Sequence, residues 1–233
     1  MNFSFGIFTS DKTNIYVKEI IESIIKLKIP KYEIIVVGGD NLYDDNIIHV
    51  EFDESVRPNW LNRKKNIFIE TSKYENLVFL HDYQIFNENW FIDFLEFGND
   101  FDICATRVIN ADGSRYRDWI LCWDAIPEFP NGLPNKEHIL PYSEKRLSKF
   151  MYINGSYWIA KRSVMIEFPL DPELVWGQSE DIVWSKKVTK KYKFDINKKS
   201  TLIMLKHKDP FYNYMSDHTY NSYILPFIEK NKL

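Results

Sequence analysis

The chain has 233 residues, 45% of them hydrophobic and 27% charged, with a net charge of −3. These proportions exclude intrinsic disorder, collagen-like repeats and low-complexity scaffolds, and the length suits a single α/β domain over residues 1–233. With no basic excess to neutralise a phosphate polymer, nucleic acid is not an expected partner. The aromatic share, 16%, is high; such rings fill cores and also line sugar and base sites.

Phe3 to Phe8 is an apolar run with no basic stretch before it and no small-residue cleavage site, so it reads as a first strand rather than a signal peptide. Val17, Ile20, Ile21, Ile24 and Ile25 recur at helical spacing, and Pro30 closes that segment. Glu33 to Val37 is a β-branched run stopped by Gly38-Gly39. A near-continuous apolar strand of this kind suits a parallel sheet covered on both faces. Ile47 to Phe52 reads as a further strand, and Pro58 to Thr71 as a helix with proline in its first turn. Leu77 to Leu80 is a buried strand, Trp90, Phe91, Phe94 and Leu95 make a helical face, and Phe101 to Val108 is a strand. The order β-α-β-β-α-β-α-β predicts an α/β sheet.

Between Asn110 and Leu147 the periodicity fades, and Gly113, Pro127, Pro130, Gly132, Pro134 and Pro141 punctuate the chain. A stretch this long is a functional loop region or a small subsheet. Ser156 to Ala160 resumes strand character, Ser179 to Lys190 is helical, and Ser200 to Leu205 is a last strand. No run approaches the ~18–20 apolar residues that span a bilayer, so no transmembrane segment is expected. Cys104 and Cys122 match no zinc or redox spacing. Two free thiols suit a reducing compartment and one disulfide is the alternative; a cytoplasmic location is the expectation.

Phosphate-cradling glycine motifs are absent, as are HExxH and GxSxG. Four polar clusters remain. Leu80-His81-Asp82-Tyr83 follows a buried strand, where ligands of open α/β sheets bind; a carboxylate there suits a hard divalent cation or the cap of a turn. Trp176-Gly177-Gln178-Ser179-Glu180-Asp181 opens a helix with Ser179 as its N-cap. Acids in a first turn suit the macrodipole, and one projecting into a cleft suits a general base. Lys206-His207-Lys208 follows the last strand; His207 suits metal ligation or hydrogen bonding, and the lysines suit phosphate or water. Asn62-Arg63-Lys64-Lys65-Asn66 reads as a mostly solvated basic helical face, with Arg63 or Lys64 as the best candidate for a phosphate contact.

In order and spacing, Phe5 to Thr9, Tyr32 to Val37, Asn62 to Asn66, Phe79 to Asp82, Trp176 to Trp184 and Lys206-His207 resemble a family-2-like glycosyltransferase of the GT-A fold. The resemblance spans most of the chain. It implies an α/β fold with a central, mostly parallel sheet flanked by helices. It further implies a nucleotide-binding half (1–107) and an acceptor-side half (108–233). The implied activity is inverting transfer from a nucleotide-sugar donor to the hydroxyl of a glycan or other acceptor, with a divalent cation, Mn2+ or Mg2+. Asp82 carries over as metal ligand, with His207 as a further one, Asp181 as base and Glu180 beside it. Thr9, Asp40, Arg63, Lys64, His81, Asp82, Trp176 and Gly177 are the implied donor-site residues, Trp176 offering an apolar face to a sugar. The chain departs from the family where His81 and Tyr83 flank a single Asp82, and where Asp40 comes two positions late behind Gly38-Gly39. Imidazole in the ligand set would favour manganese. Alternative readings are a sugar-binding protein without turnover and a sugar-phosphate nucleotidylyltransferase; Thr9-Ser10-Asp11-Lys12 lacks the glycines the latter requires. Arg115, Tyr116, Arg117 and Trp119 are expected in an acceptor-side lid.

Overall fold

The computed structural model describes residues 1–10, 15–41, 46–122, 137–209 and 214–233. Six buried residues in a row, Phe3–Phe8, make β1, and equally apolar runs make β2 (Tyr32–Val37) and, after the short β3 (Ile48–Val50), β4 (Asn76–His81). Strands that are apolar on both faces need cover on both. Helices α1 (Ile15–Lys26) and α3 (Trp90–Phe97) cover one face, packing Ile20, Ile24, Trp90 and Phe94 on Phe3, Phe5 and Ile7. The other face is covered by α2 (Leu61–Thr71), α4 (Arg162–Glu167) and α5 (Glu180–Val188), with Phe68, Val164 and Trp184 among its core residues. Near its centre Phe79 and Trp158 stack at 4.2 Å.

β5 (Gln84–Phe86), β6 (Ile103–Asn110), β10 (Tyr157–Lys161) and β11 (Phe194–Met204) complete an eight-stranded sheet of order β3-β2-β1-β4-β10-β6-β11-β5. The β3-β2-β1-β4 half is parallel throughout. β10 runs antiparallel to β4 and β6, β11 runs parallel to β6, and edge strand β5 runs antiparallel to β11. β5 escapes the sequence pattern because three residues show no period. β11 begins six residues before the predicted Ser200, and its register on β6 shifts between Asn197 and Thr201; that irregularity hides the alternation.

The predicted helix from Pro58 starts instead at Leu61, because Asn59 adopts φ 59° and Trp60 is not helical. The segment 170–176 holds this start: Trp60 and Asn62 donate to Pro172 O and Asp171 O, and Asn59 O accepts from Trp176 N. Closer to the strands, a Cβ on Gly6 would lie 2.7 Å from the Phe68 ring. Glycine at that position lets α2 settle on β1 and brings the preceding turn, Lys64 and Lys65, to the ends of the strands.

The described part of the glycine- and proline-rich region is a small antiparallel sheet, β8 (Glu137–Ile139), β7 (Ile120–Cys122) and β9 (Met151–Tyr152) in that order. Pro127, Pro130, Gly132 and Pro134 lie outside the described residues, as do Asp11 and Lys12. Two residues expected in a lid are structural. Trp119 is buried with its indole N–H donating to Glu144 O at 2.9 Å, and Arg115 pairs with buried Asp118. The chain closes with the helices α6 (Asp217–Thr219) and α7 (Leu225–Asn231), the latter packing Phe227 and Ile228 on the α5 side of the sheet. No described helix is long and apolar enough to cross a membrane.

Candidate active site

Because β10 is antiparallel to both β4 and β6, strands β1, β2, β4, β6 and β11 all run the same way. Thr9, Gly38, Asp82 and His207 therefore follow strands that end on one edge, and Gly155, just ahead of β10, lies at that edge too. This is where open α/β sheets bind ligands.

The first turns of α2 point into it. Asn62, Lys64, Lys65 and Asn66 are buried, contrary to the solvated face expected of them. The buried surface of α2 is apolar where it meets the sheet, at Phe68 and Ile69, and polar where it meets the edge. Lys64 donates to Thr9 O at 2.6 Å, to Ser10 Oγ at 2.9 Å and to the Glu54 carboxylate. Burial lowers its pKa, against the opposing pull of Glu54 and Asp82. Gly38 makes this closure possible: its φ is 89°, and a Cβ there would come within 2.3 Å of Thr9 O. Arg63 instead pairs with Glu70 at 3.1 Å.

Lys65, not singled out from the sequence, joins the two halves of the site. Its ammonium donates to Gly155 O at 2.8 Å and sits 4.7 Å from the centre of the Trp158 ring. Gly155 N–H donates in turn to Asp181 Oδ2 at 3.0 Å, and a Cβ on Gly155 would lie 3.2 Å from the same oxygen. Asp181 Oδ1 accepts from Ile182 N–H at 2.9 Å. Glu180 is buried beside it. The expected cap is absent: Ser179 occupies the N-cap position with φ 58°, and its hydroxyl makes no capping bond. The turn through Gly177 (φ 88°) and Ser179 leads directly into Glu180 and Asp181.

Burial pushes the Lys65 ammonium down to about 8, while Glu180 and Asp181 pull the other way. Below that pH the group is charged both folded and unfolded, and its burial weakens the fold. Between about 8 and 10.5 the unfolded chain holds the extra proton, so stability rises with pH. Lys65→Met should remove from this window a rise on the order of 3 kcal/mol. Urea midpoints at pH 7 and pH 10 check it, and an identical rise in both proteins would refute it.

His81 ends β4, buried, with Nδ1 3.2 Å from the Tyr83 hydroxyl. Its pKa is well below the usual imidazole value, through burial first and then Lys65, Lys208 and Lys64. The ring is therefore neutral in a positive field. His207 is exposed. Among the described residues no three His, Cys, Asp or Glu groups converge to hold a metal. Among the described residues, the Asp82 carboxylate at the end of β4, with Lys64 acting on it and the Glu54 carboxylate taken up by Lys64, does not fit a divalent cation held by the chain alone.

Beside this cluster a cleft of about 490 Å³ is lined by Ser10, Gly39, Asp40, His49, Phe52 and Glu54, among others. Asp40 is exposed there, and His49 Nε2 donates towards Gly38 O and Gly39 O at 3.2 Å. Trp176 is 60% exposed. A larger cleft, about 680 Å³, opens at the opposite edge of the sheet around Lys161 and Asp195. Four of its charges are paired with each other, Lys145 with Asp195 and Lys161 with Glu75, and the candidate site is the one at the carboxyl edge.

No family model matches the chain, and no curated protein matches its sequence. Solved structures match its fold. S. aureus TarS 1-349 is 14% identical with a TM-score of 0.60, over 88% of this chain and 60% of that one. The same protein in complex with UDP-GlcNAc is matched at 13% identity and TM-score 0.57, over 95% and 64%. GalNAc-T7 crystallised with UDP, GalNAc and Mn2+ is matched at 17% and 0.66, over 98% and 48%. The chain thus spans less than two thirds of the length of each. Identity this low speaks for architecture, and on that ground the chain has a GT-A glycosyltransferase-like fold.

Proposed function

We propose that the protein transfers a sugar from a nucleotide-diphosphate donor to an acceptor hydroxyl, with inversion. The observation that carries this reading is Asp181, held by the Gly155 amide at the carboxyl edge of the sheet and next to the Lys64–Thr9 closure. The acceptor oxygen attacks the anomeric carbon and gives its proton to Asp181, while the bond from that carbon to the diphosphate oxygen breaks. The leaving nucleoside diphosphate takes the bond's electron pair. Lys65 positions Asp181 through Gly155, and Glu180 faces a sugar hydroxyl. Asp40 lines the cleft that takes the nucleoside, with Ser10 and Gly39, the chain neighbours of Thr9 and Gly38, beside it, and His81 and Asp82 lie on the diphosphate side. His207 follows β11 to the same edge, and the described residues around it and Asp82 do not make a divalent-cation site.

Fold similarity to structures that hold UDP or UDP-GlcNAc supports a nucleotide donor. Thermal melting with UDP, GDP or CDP, with and without manganese, tests it. Ligand at ~100 times its dissociation constant adds about 2.7 kcal/mol, and no shift with any of them would remove the reading. In this reading Trp176 and Gly177 belong to the donor site, Trp176 offering its apolar face to the donor's sugar. Since Trp176 is 60% exposed, Trp176→Ala should leave the melting temperature unchanged and raise the donor KM about 3–10-fold. An unchanged KM would return Trp176 to a surface role.

A further inference from the structure

We infer that Lys206 and Lys208, on the strap after β11, receive the donor's diphosphate directly, so that a nucleoside diphosphate binds without a divalent cation. The inference rests on the glycosyltransferase reading and deepens it. Both ammonium groups lie over one ring, Tyr83, at 5.7 Å and 4.9 Å from its centre, and Lys206 also lies 5.6 Å from the centre of the Tyr16 ring. Among the described residues neither lysine has a carboxylate within ion-pair distance, although the chain pairs many of its other lysines.

The strap itself is fastened. Leu205 N donates to Tyr83 O at 2.8 Å. The fully buried Asn110 grips both backbone groups of Lys208: its Nδ2 donates to Lys208 O at 2.8 Å, and its Oδ1 accepts from Lys208 N at 3.1 Å. A fixed backbone places the Lys208 ammonium where it acts on the His81 ring together with Lys64 and Lys65. Burial keeps the Tyr83 phenol protonated, so the ring is a neutral platform and does not cancel the two charges. Positive charge thus gathers next to Asp82, on the edge where a diphosphate leaves, and ammonium groups there neutralise it as it develops.

Titration calorimetry of UDP, GDP, CDP and inorganic pyrophosphate, in EDTA and in manganese, tests the inference. The proteins are the wild type, Lys206→Ala, Lys208→Ala and Lys208→Arg. The Asn110 contacts are to backbone atoms of Lys208, so its side chain can be changed without releasing the strap, and melting curves verify this. The expected result is nucleotide binding in EDTA that weakens at least about tenfold in each alanine variant, survives in Lys208→Arg and falls with added salt. Binding that requires manganese and is equal in all four proteins would overturn the inference and leave the transferase reading intact. Lysine-dependent binding of pyrophosphate without binding of any nucleotide would keep the anion site and remove the transferase reading. Failure of every ligand would remove both.

Discussion

Asp181→Asn should lower turnover by about 10²–10⁴-fold, the usual range for a general base, with nucleotide affinity unchanged. The substitution keeps the shape of the side chain. Asp181 accepts from Gly155 N–H and Ile182 N–H, and asparagine retains one carbonyl oxygen for these two donors. The cost in stability is therefore about 1 kcal/mol, one net hydrogen bond, far below the loss in rate. Single-turnover rates, with melting curves beside them, separate the two effects. Turnover close to wild type in a folded variant would remove Asp181 from the chemistry. A matching fall in nucleotide affinity would mean that it binds the donor.

Asp118→Ala should destabilise the fold by about 3–5 kcal/mol, the cost of breaking a buried ion pair by removing one partner. The Asp118 carboxylate is fully buried and accepts from Arg115 at 2.8 and 2.6 Å, from the Tyr142 hydroxyl at 2.7 Å and from Val108 N at 3.1 Å. Those donors come from β6, from the turn after it and from the segment after β8, so this one side chain staples the small sheet to the large one. The Arg115 guanidinium also lies 3.8 Å from the centre of the Tyr142 ring. Burial raises the Asp118 pKa despite these partners; the pair is held for its geometry, with little net gain from the charges. Asp118→Asn keeps an acceptor and should cost less. Urea unfolding measures both, and a loss below about 1 kcal/mol for the alanine variant would show that the neighbours repair the gap.

The central strands were legible in the sequence. Six buried residues in a row at Phe3–Phe8 and at Asn76–His81 can only be covered on both faces, and helical spacing of Val17, Ile20 and Ile24 supplies one such cover. The acidic pair Glu180-Asp181 was equally visible, because a helix start after Gly177 is a local feature. The order of strands was not visible. β10 and β5 reverse direction, and pairing depends on partners distant in the chain. Lys65 was hidden for a related reason. Five polar residues, Asn62 to Asn66, look like a solvated face when only the helix is considered, and all of them except Arg63 are buried because Gly6 admits α2 against β1. The charge environment was set in the same way: His81 is neutral because it is buried and because Lys64, Lys65 and Lys208 face it from two separate segments. Local pattern fixes which residues are apolar and where helices begin. Which charges share one low-dielectric space is decided only when the sheet brings its strand ends together.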